Sequence, residues 1–195
     1  MEKICLIKNY NTFNTMEFNA ENISVHTAKV NPPAHCVREK GDNLKSRFFY
    51  ILRGSMWFDK GKKTEIFAKE GDIVYLPSDI TYVSHWVASE TQGEYISFNC
   101  NFKNDIGEEI IFSHNVMILA NDKTGEYFKI FSKMNDVYCL GRANMTIELK
   151  GLFYKFLSEI IIKIISKNLK LEEKSKPIYR GILYLENNYT LNFPI

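Results

Sequence analysis

Short runs of alternating apolar and polar residues, each ended by a turn-forming residue, fill the first hundred positions of the chain. Residues 47–87 hold four or five such runs, which are broken at Gly54, Gly61, Gly71 and Pro77. Strands this short and this regularly interrupted predict an antiparallel sandwich or small barrel, and not a parallel sheet with crossover helices.

Two further runs lie on either side of this window. Residues 23–30 alternate until the stop at Asn31, Pro32 and Pro33, because proline lacks the donor that a sheet needs. Residues 94–102 alternate over nine positions and place their even-numbered side chains on one face and their odd-numbered ones on the other. A last strand is predicted at residues 116–120.

The hydrophobic period changes from two to about 3.6 after Asn121, which predicts helices. A first helix covers residues 127–138, and a second, broader stripe covers residues 149–165. Residues 167–176 are rich in charge and predict a solvated connector. A third helix is predicted from Pro177, because proline is tolerated in a first helical turn, to Tyr189.

Composition excludes several classes of function. The chain has 195 residues, enough for one domain with a core, and a net charge of +2, without the concentrated basic face of a nucleic-acid-binding module. Its four cysteines have no metal-ligand spacing, and its first residues carry no signal-peptide pattern, so we expect reduced thiols in a cytoplasmic protein. Residues 152–165 are too short and too charged to span a membrane.

One part of the strand-rich window resembles the second motif of the cupin family: Gly71 and Asp72, four apolar residues, then Pro77. In metal-binding cupins the motif continues to a histidine five residues after the proline, where this chain has Tyr82. The other cupin motif would end near Gly54, and Arg47 stands where that motif has a carboxylate. The resemblance implies a double-stranded antiparallel β-barrel, and the missing ligands predict that it holds no metal and no other cofactor.

The order of predicted elements is similar to the N-terminal half of an AraC-family transcriptional regulator. Residues 182–189 also resemble the run that opens the DNA-binding domain of that family. The resemblance implies an effector-binding barrel with an N-terminal arm at 1–121, a helical dimerisation segment at 122–167, and a linker and first helix at 168–195. DNA binding would then belong to a domain beyond Ile195, of which this chain would be the sensor part.

Candidate ligand contacts follow from the emptied metal positions, which the resemblance places inside the barrel. An inward Arg47 needs an anion, such as the carboxylate or phosphate of a ligand; the alternative is an arginine in water at the rim. The effector would be a sugar, an organic acid or a fatty acid. The other candidates are polar or aromatic, although a tryptophan in a barrel is also a common core residue: Tyr82, His35, Arg38, Trp57, Tyr75 and Trp86.

Two surfaces complete the sensor hypothesis. Phe13, Met16 and Phe18 could form an apolar lid in the N-terminal arm, or belong to an ordinary first strand. The apolar stripe of the second helix predicts a homodimer, with burial between barrel and tail as the alternative. The residues predicted at the dimer interface are Leu152, Phe156, Ile160, Ile161 and Ile164.

An enzyme is the alternative from another class, such as a sugar isomerase, epimerase or dioxygenase. Metal-dependent cupins need three or four converging ligands, but the four histidines here fall at unrelated spacings. His85 with Glu94 is the one acid–base pairing that the sequence suggests. A third possibility is a freestanding cupin that binds a ligand without a DNA-binding partner. The helix predicted after Lys176 argues against it.

Overall fold

Eleven strands precede two helices in the part of the chain that the computed structural model describes, which is residues 3–5, 17–41, 45–78, 80–87 and 92–172. The chain divides into two units, residues 1–160 and residues 161–195. The strands are β1 Ile4–Cys5, β2 Phe18–Val30, β3 Ala34–Arg38, β4 Ser46–Arg53, β5 Ser55–Phe58, β6 Ile66–Lys69, β7 Asp72–Leu76, β8 Tyr82–Trp86, β9 Gly93–Asn104, β10 Ile110–Ile111 and β11 Met117–Asn121.

Two antiparallel sheets form the barrel. The larger has the strand order β11-β7-β4-β9-β2 and the smaller has the order β3-β8-β5-β6, while β1 and β10 form a separate parallel pair. The helices are α1 (Glu126–Leu140) and α2 (Met145–Glu172). The predicted mostly-β fold, an antiparallel double-stranded barrel followed by helices, is confirmed.

The central strands of the larger sheet, β7, β4 and β9, are mostly buried on both faces. Phe48 on β4 and Phe98 on β9 point toward the helices, where their rings lie 4.8 Å apart and each packs edge-on against Phe156 at 5.3 Å. Phe153 of α2 and Phe112 extend this aromatic core. Alternation turns the neighbouring side chains of β4 and β9 the opposite way, between the two sheets.

The cupin-like motif at Gly71 and Asp72 forms the turn between β6 and β7. Gly71 has a φ of 81°, a left-handed conformation that glycine adopts without strain. The Asp72 carboxylate accepts hydrogen bonds from the Lys69 backbone N–H at 2.9 Å and from Asn121 Nδ2 at 2.8 Å. This carboxylate therefore joins the turn to β11 at the sheet edge. Gly71 and Asp72 thus both have a structural role in this turn.

Both helices differ from the sequence prediction in detail. The apolar period of residues 127–138 includes Phe128, but Phe128 is 41% exposed, and Ile130 and Phe131 are buried instead. α2 does not end near residue 165 but continues to Glu172, and its last residues are mostly lysine, leucine and glutamate, which favour helix. The helix predicted at 177–189 lies outside the described residues.

The candidate lid residue Phe18 belongs to a regular strand. It begins β2, and its ring packs against Phe102 at 5.0 Å and Tyr154 at 5.7 Å. Phe13 and Met16 lie outside the described residues. No helix in the described ranges is both long and apolar enough to cross a membrane.

We expect Phe48→Ala to lower the free energy of unfolding by about 3–5 kcal/mol, because it leaves a cavity in the aromatic core. Phe48 is 1% exposed, whereas Phe67 on β6 is 42% exposed, so Phe67→Ala is a matched control with a loss of about 1 kcal/mol or less. Urea unfolding measures both variants. Equal losses would show that α1 and α2 do not pack on the larger sheet as described.

Candidate functional site

A cavity of about 190 Å³ lies between the two sheets. The strands β3, β4 and β8 supply its polar groups, and aromatic and aliphatic side chains supply the rest. The residues that line it are Val30, Ala34, His35, Cys36, Arg38, Arg47, Phe49, Met56, Phe58, Leu76, Tyr82, Ser84, Trp86 and Tyr95.

Arg47 reaches the cavity because β4 alternates. Phe48 faces the helices, so Arg47 and Phe49 face the space between the sheets. The Arg47 Nε–H donates a hydrogen bond of 2.6 Å to Oδ1 of Asn99, its partner across β9. Asn99 is itself buried, and its Nδ2 donates to the Ser24 hydroxyl at 3.4 Å. A neutral amide therefore holds this guanidinium in place without cancelling its charge.

Arg38 and Tyr82 form a second polar pair, on the smaller sheet. They are directly opposed on the antiparallel strands β3 and β8, and the charge of Arg38 acts on the Tyr82 phenol. Burial raises the pKa of Tyr82, and the charges of Arg47 and Arg38 offset only part of that effect. The phenol is therefore neutral at physiological pH, and the net charge that the pair brings to the cavity is positive.

Three aromatic rings form the apolar wall. Phe49 stacks on Tyr95 with centroids 4.1 Å apart, and Trp86 lies 6.3 Å from Tyr95. Gly93 makes room for this arrangement, since a Cβ there would lie 2.5 Å from the Trp86 ring. A cavity with aromatic walls suits an aromatic or aliphatic ligand body.

The cavity brings together most of the candidates from the sequence but not all. Arg47, Tyr82, Arg38 and Trp86 line it. His35 lies at the border of the cavity. Its ring stacks on the ring of His85 on the outer face of the smaller sheet, because successive residues of β3 alternate and Cys36 points to the inner face.

Tyr75 and Trp57 lie elsewhere. Tyr75 is fully buried on the helix side of β7, where its hydroxyl pairs with Ser46 at 2.9 Å and accepts from the Phe112 N–H at 3.2 Å. Trp57 lies on the outer face of the smaller sheet, against the Phe67 ring at 4.6 Å. Neither ring reaches the cavity, because each points away from the space between the sheets.

Asn99, Tyr95 and Phe49 belong to the site but were not among the candidates. Alternation along residues 94–102 had placed Tyr95 and Asn99 on a common face. It did not show which face looks inward, because both faces of β9 are buried in the structure. The pairing of Asn99 with Arg47 could therefore be recognised only once the register of β4 and β9 was known.

The cavity does not fit the metal that many cupins hold. Within the described ranges, no three His, Cys, Asp or Glu side chains come close enough to bind a metal ion together. Arg47 and Tyr82 stand where the cupin motifs that the sequence resembles would have ligands, and the cationic Arg47 repels a metal ion. The acid–base pairing suggested for His85 is also not formed, because Glu94 lies 3.4 Å from Arg53 and 3.6 Å from Lys29.

The predicted dimer stripe is divided between the two units. In the first unit, Phe156 and Ile160 are completely buried and Leu152 is half-buried. In the second unit, Ile161 and Ile164 are half-buried. A partner chain could therefore meet only the partly exposed members directly, and the dimer stays a prediction.

Comparison with known proteins identifies the fold but no sequence family. No family model and no curated protein sequence matches the chain. The structure of an apo ToxT variant from Vibrio cholerae strain SCE256 matches 90% of this chain and 68% of its own, with 15% identity and a TM-score of 0.51. The chain shares the fold of ToxT. Because ToxT is an AraC-family regulator, the resemblance read from the sequence is confirmed for the fold.

Two weaker similarities add no further argument. Wild-type ToxT bound to an unsaturated fatty acid matches 90% of this chain and 67% of its own at 12% identity, with a TM-score of 0.49. The cupin domain of an XRE-family transcriptional regulator from Enterobacter cloacae matches 43% of this chain and 94% of its own at 10% identity, with a TM-score of 0.33.

His26 on β2 reports on the charge of Arg47. It pairs with Ser97, so it lies on the same face of the larger sheet as Asn99. Desolvation lowers its pKa from 6.5, and the positive charges of Arg47 and Lys45 lower it further. Since protonation favours the unfolded chain when the folded pKa is depressed, the His26 contribution to stability is lost as the pH falls below 6.5.

We therefore expect Arg47→Ala to raise the pKa of His26 toward 6.5, measured by NMR titration of its imidazole protons. Arg53→Ala is the control, since Arg53 is on the same strand but is not among the charges that act on His26. An unchanged His26 pKa in Arg47→Ala would place the guanidinium outside the space between the sheets.

Proposed function

We propose that this chain is the effector-sensing and dimerisation part of an AraC-type transcriptional regulator. A small molecule binds in the metal-free cavity between the sheets and controls a DNA-binding domain beyond Ile195. The fold shared with ToxT supports the class of protein. The cavity supports the binding role, which would be regulatory and not catalytic.

The observation that carries the proposal is the uncompensated charge of the cavity. Arg38 and Arg47 both line it, and none of its described lining residues is Asp or Glu. Both residues are half-buried, and a guanidinium partly withdrawn from water is stabilised when an anion pairs with it. An anionic ligand supplies that partner and accepts hydrogen bonds from both guanidinium groups. Trp86, Tyr95 and Phe49 then contact the apolar part of the ligand.

The size of the cavity narrows the ligand to a small organic acid. A volume of about 190 Å³ lies below the roughly 300–1,000 Å³ of pockets that hold drug-sized ligands. An aromatic or short aliphatic carboxylate fits this space, whereas a long-chain fatty acid would require the sheets to open. A neutral sugar would leave the charge of both arginines unpaired.

Binding of an aromatic carboxylate tests the proposal. Benzoate is expected to bind to the 195-residue chain in calorimetry, and benzamide, which has the same ring but no charge, is expected to bind at least tenfold more weakly. Arg47→Ala is expected to weaken benzoate binding by roughly 10–100-fold, since a charged hydrogen bond contributes about 1.5–3 kcal/mol. Equal affinities for benzoate and benzamide would contradict an anion site.

Two control variants separate charge from folding. Arg53→Ala removes a mostly exposed arginine of the same strand and leaves binding unchanged if the effect belongs to the cavity. Asn99→Asp keeps the shape of the side chain that holds Arg47 but adds the missing negative charge. It is therefore expected to weaken benzoate binding about as strongly as Arg47→Ala does, while stabilising the protein without ligand.

The dimer part of the proposal depends on the partly exposed members of the α2 stripe. Ile161→Glu is expected to turn a dimer into a monomer in sedimentation analysis, because it places a charge in an apolar interface. Ile147→Glu is the control, since Ile147 is on the same helix, is 76% exposed, and lies outside the stripe. A monomeric unsubstituted protein, or a dimer that survives Ile161→Glu, contradicts this interface.

A further inference from the structure

The outer face of the smaller sheet carries an unbroken row of four rings, one from each strand. Consecutive cross-strand partners are His35 on β3, His85 on β8, Trp57 on β5 and Phe67 on β6. His85, Trp57 and Phe67 are not among the residues that line the cavity, and His35 touches the cavity only at its border, so ligand binding in the cavity does not explain the row. Its two histidines stand next to each other at one end.

The histidine pair has the placement of a chelating site. His35 and His85 are directly opposed on antiparallel strands, and their ring centroids lie 6.0 Å apart at an interplanar angle of 29°. His35 is exposed and His85 half-buried, so solvent reaches the pair. Among the hydrogen bonds between described residues, none uses an imidazole nitrogen of either ring, which leaves these nitrogens available to a metal.

We propose that His35 and His85 together bind one divalent transition-metal ion, with water completing its coordination. Imidazole nitrogen binds Cu²⁺, Ni²⁺ and Zn²⁺, at about 2.0–2.1 Å for Zn²⁺. Two such bonds span the gap between the rings once each turns a nitrogen toward the other. Among divalent first-row ions, Cu²⁺ binds most tightly to a nitrogen site, so it is the best probe.

Occupation of this site would act on the strand that borders the cavity. Among the described strands, β3 lies at the edge of the smaller sheet, with β8 as its neighbour. The inner face of β3 carries Cys36 and Arg38 into the cavity. A metal ion shared by His35 and His85 would therefore link β3 to β8, the two strands that also carry Arg38 and Tyr82.

Tryptophan fluorescence reports binding at this place. The chain has two tryptophans, and Trp57 is the cross-strand neighbour of His85. In a Trp86→Phe background, Cu²⁺ is expected to quench the remaining Trp57 emission saturably, with one ion per chain. His35→Ala and His85→Ala are each expected to weaken this binding at least tenfold, whereas His114→Ala, which removes an exposed histidine far along the chain, leaves it unchanged.

A second measurement guards against a folding artefact. Zn²⁺, which does not quench, is expected to raise the thermal midpoint of the unsubstituted chain and of His114→Ala, but not that of His35→Ala or His85→Ala. Circular dichroism without metal verifies that all variants are folded, as expected for substitutions on an exposed sheet face. Quenching that persists with unchanged affinity in His35→Ala or in His85→Ala, or that disappears in His114→Ala, overturns the proposal.

Discussion

The alternation of side chains along β4 is the constraint on which the rest of the structure depends. Because successive residues of a strand point to opposite faces, β4 builds two different interiors at once. Phe48 packs against Phe98 and Phe156 and attaches the helices to the barrel, while Arg47 and Phe49 enter the cavity on the other side. A shift of register by one residue would put a guanidinium in the aromatic core and a phenylalanine in place of the charge. The well-packed helix side therefore fixes the unusual chemistry of the cavity side.

That chemistry is a positive charge held in place by neutral groups. The cost of withdrawing a guanidinium from water falls when a carboxylate pairs with it, and the position opposite Arg47 could accommodate one, since Asn99 and Asp have nearly the same shape. The chain instead has an amide there, at 2.6 Å, which orients the guanidinium without neutralising it. A permanent internal ion pair would compete with an anionic ligand for Arg47. The arrangement present here leaves Arg47 to the anionic ligand of the proposed function.

The sequence predicted the strands and helices well, because their apolar periods are clear and their ends carry glycine or proline. It also selected Arg47 and Tyr82, which line the cavity, because both stand where the cupin motifs that the sequence resembles have a metal ligand. It could not separate Tyr82 from Tyr75, because β7 is buried on both faces and hydropathy does not distinguish a helix-facing side from a cavity-facing side. Trp57 was misplaced for the opposite reason: an aromatic residue normally lies inside, and here it forms part of an exposed row with Phe67. The end of α2 was set too early because charged residues with high helix propensity read equally well as a connector.

The structure also shows how a ligand in the cavity could influence the helices. Tyr50, next to Phe49 on β4, points to the helix side, and its hydroxyl donates to the Asp122 carboxylate at 3.1 Å. The same carboxylate oxygen accepts from the backbone N–H of Phe128 in the first turn of α1 at 2.8 Å. Cavity and helix are thus separated by one strand whose adjacent residues contact both. A ligand changes the helices only to the extent that it binds one arrangement of β4 better than another, typically by about 1–3 kcal/mol in allosteric proteins. Because the aromatic core on the helix side is tightly packed, it resists gradual deformation, and a displacement of β4 large enough to be transmitted would favour a discrete repacking of α1 over a slow drift.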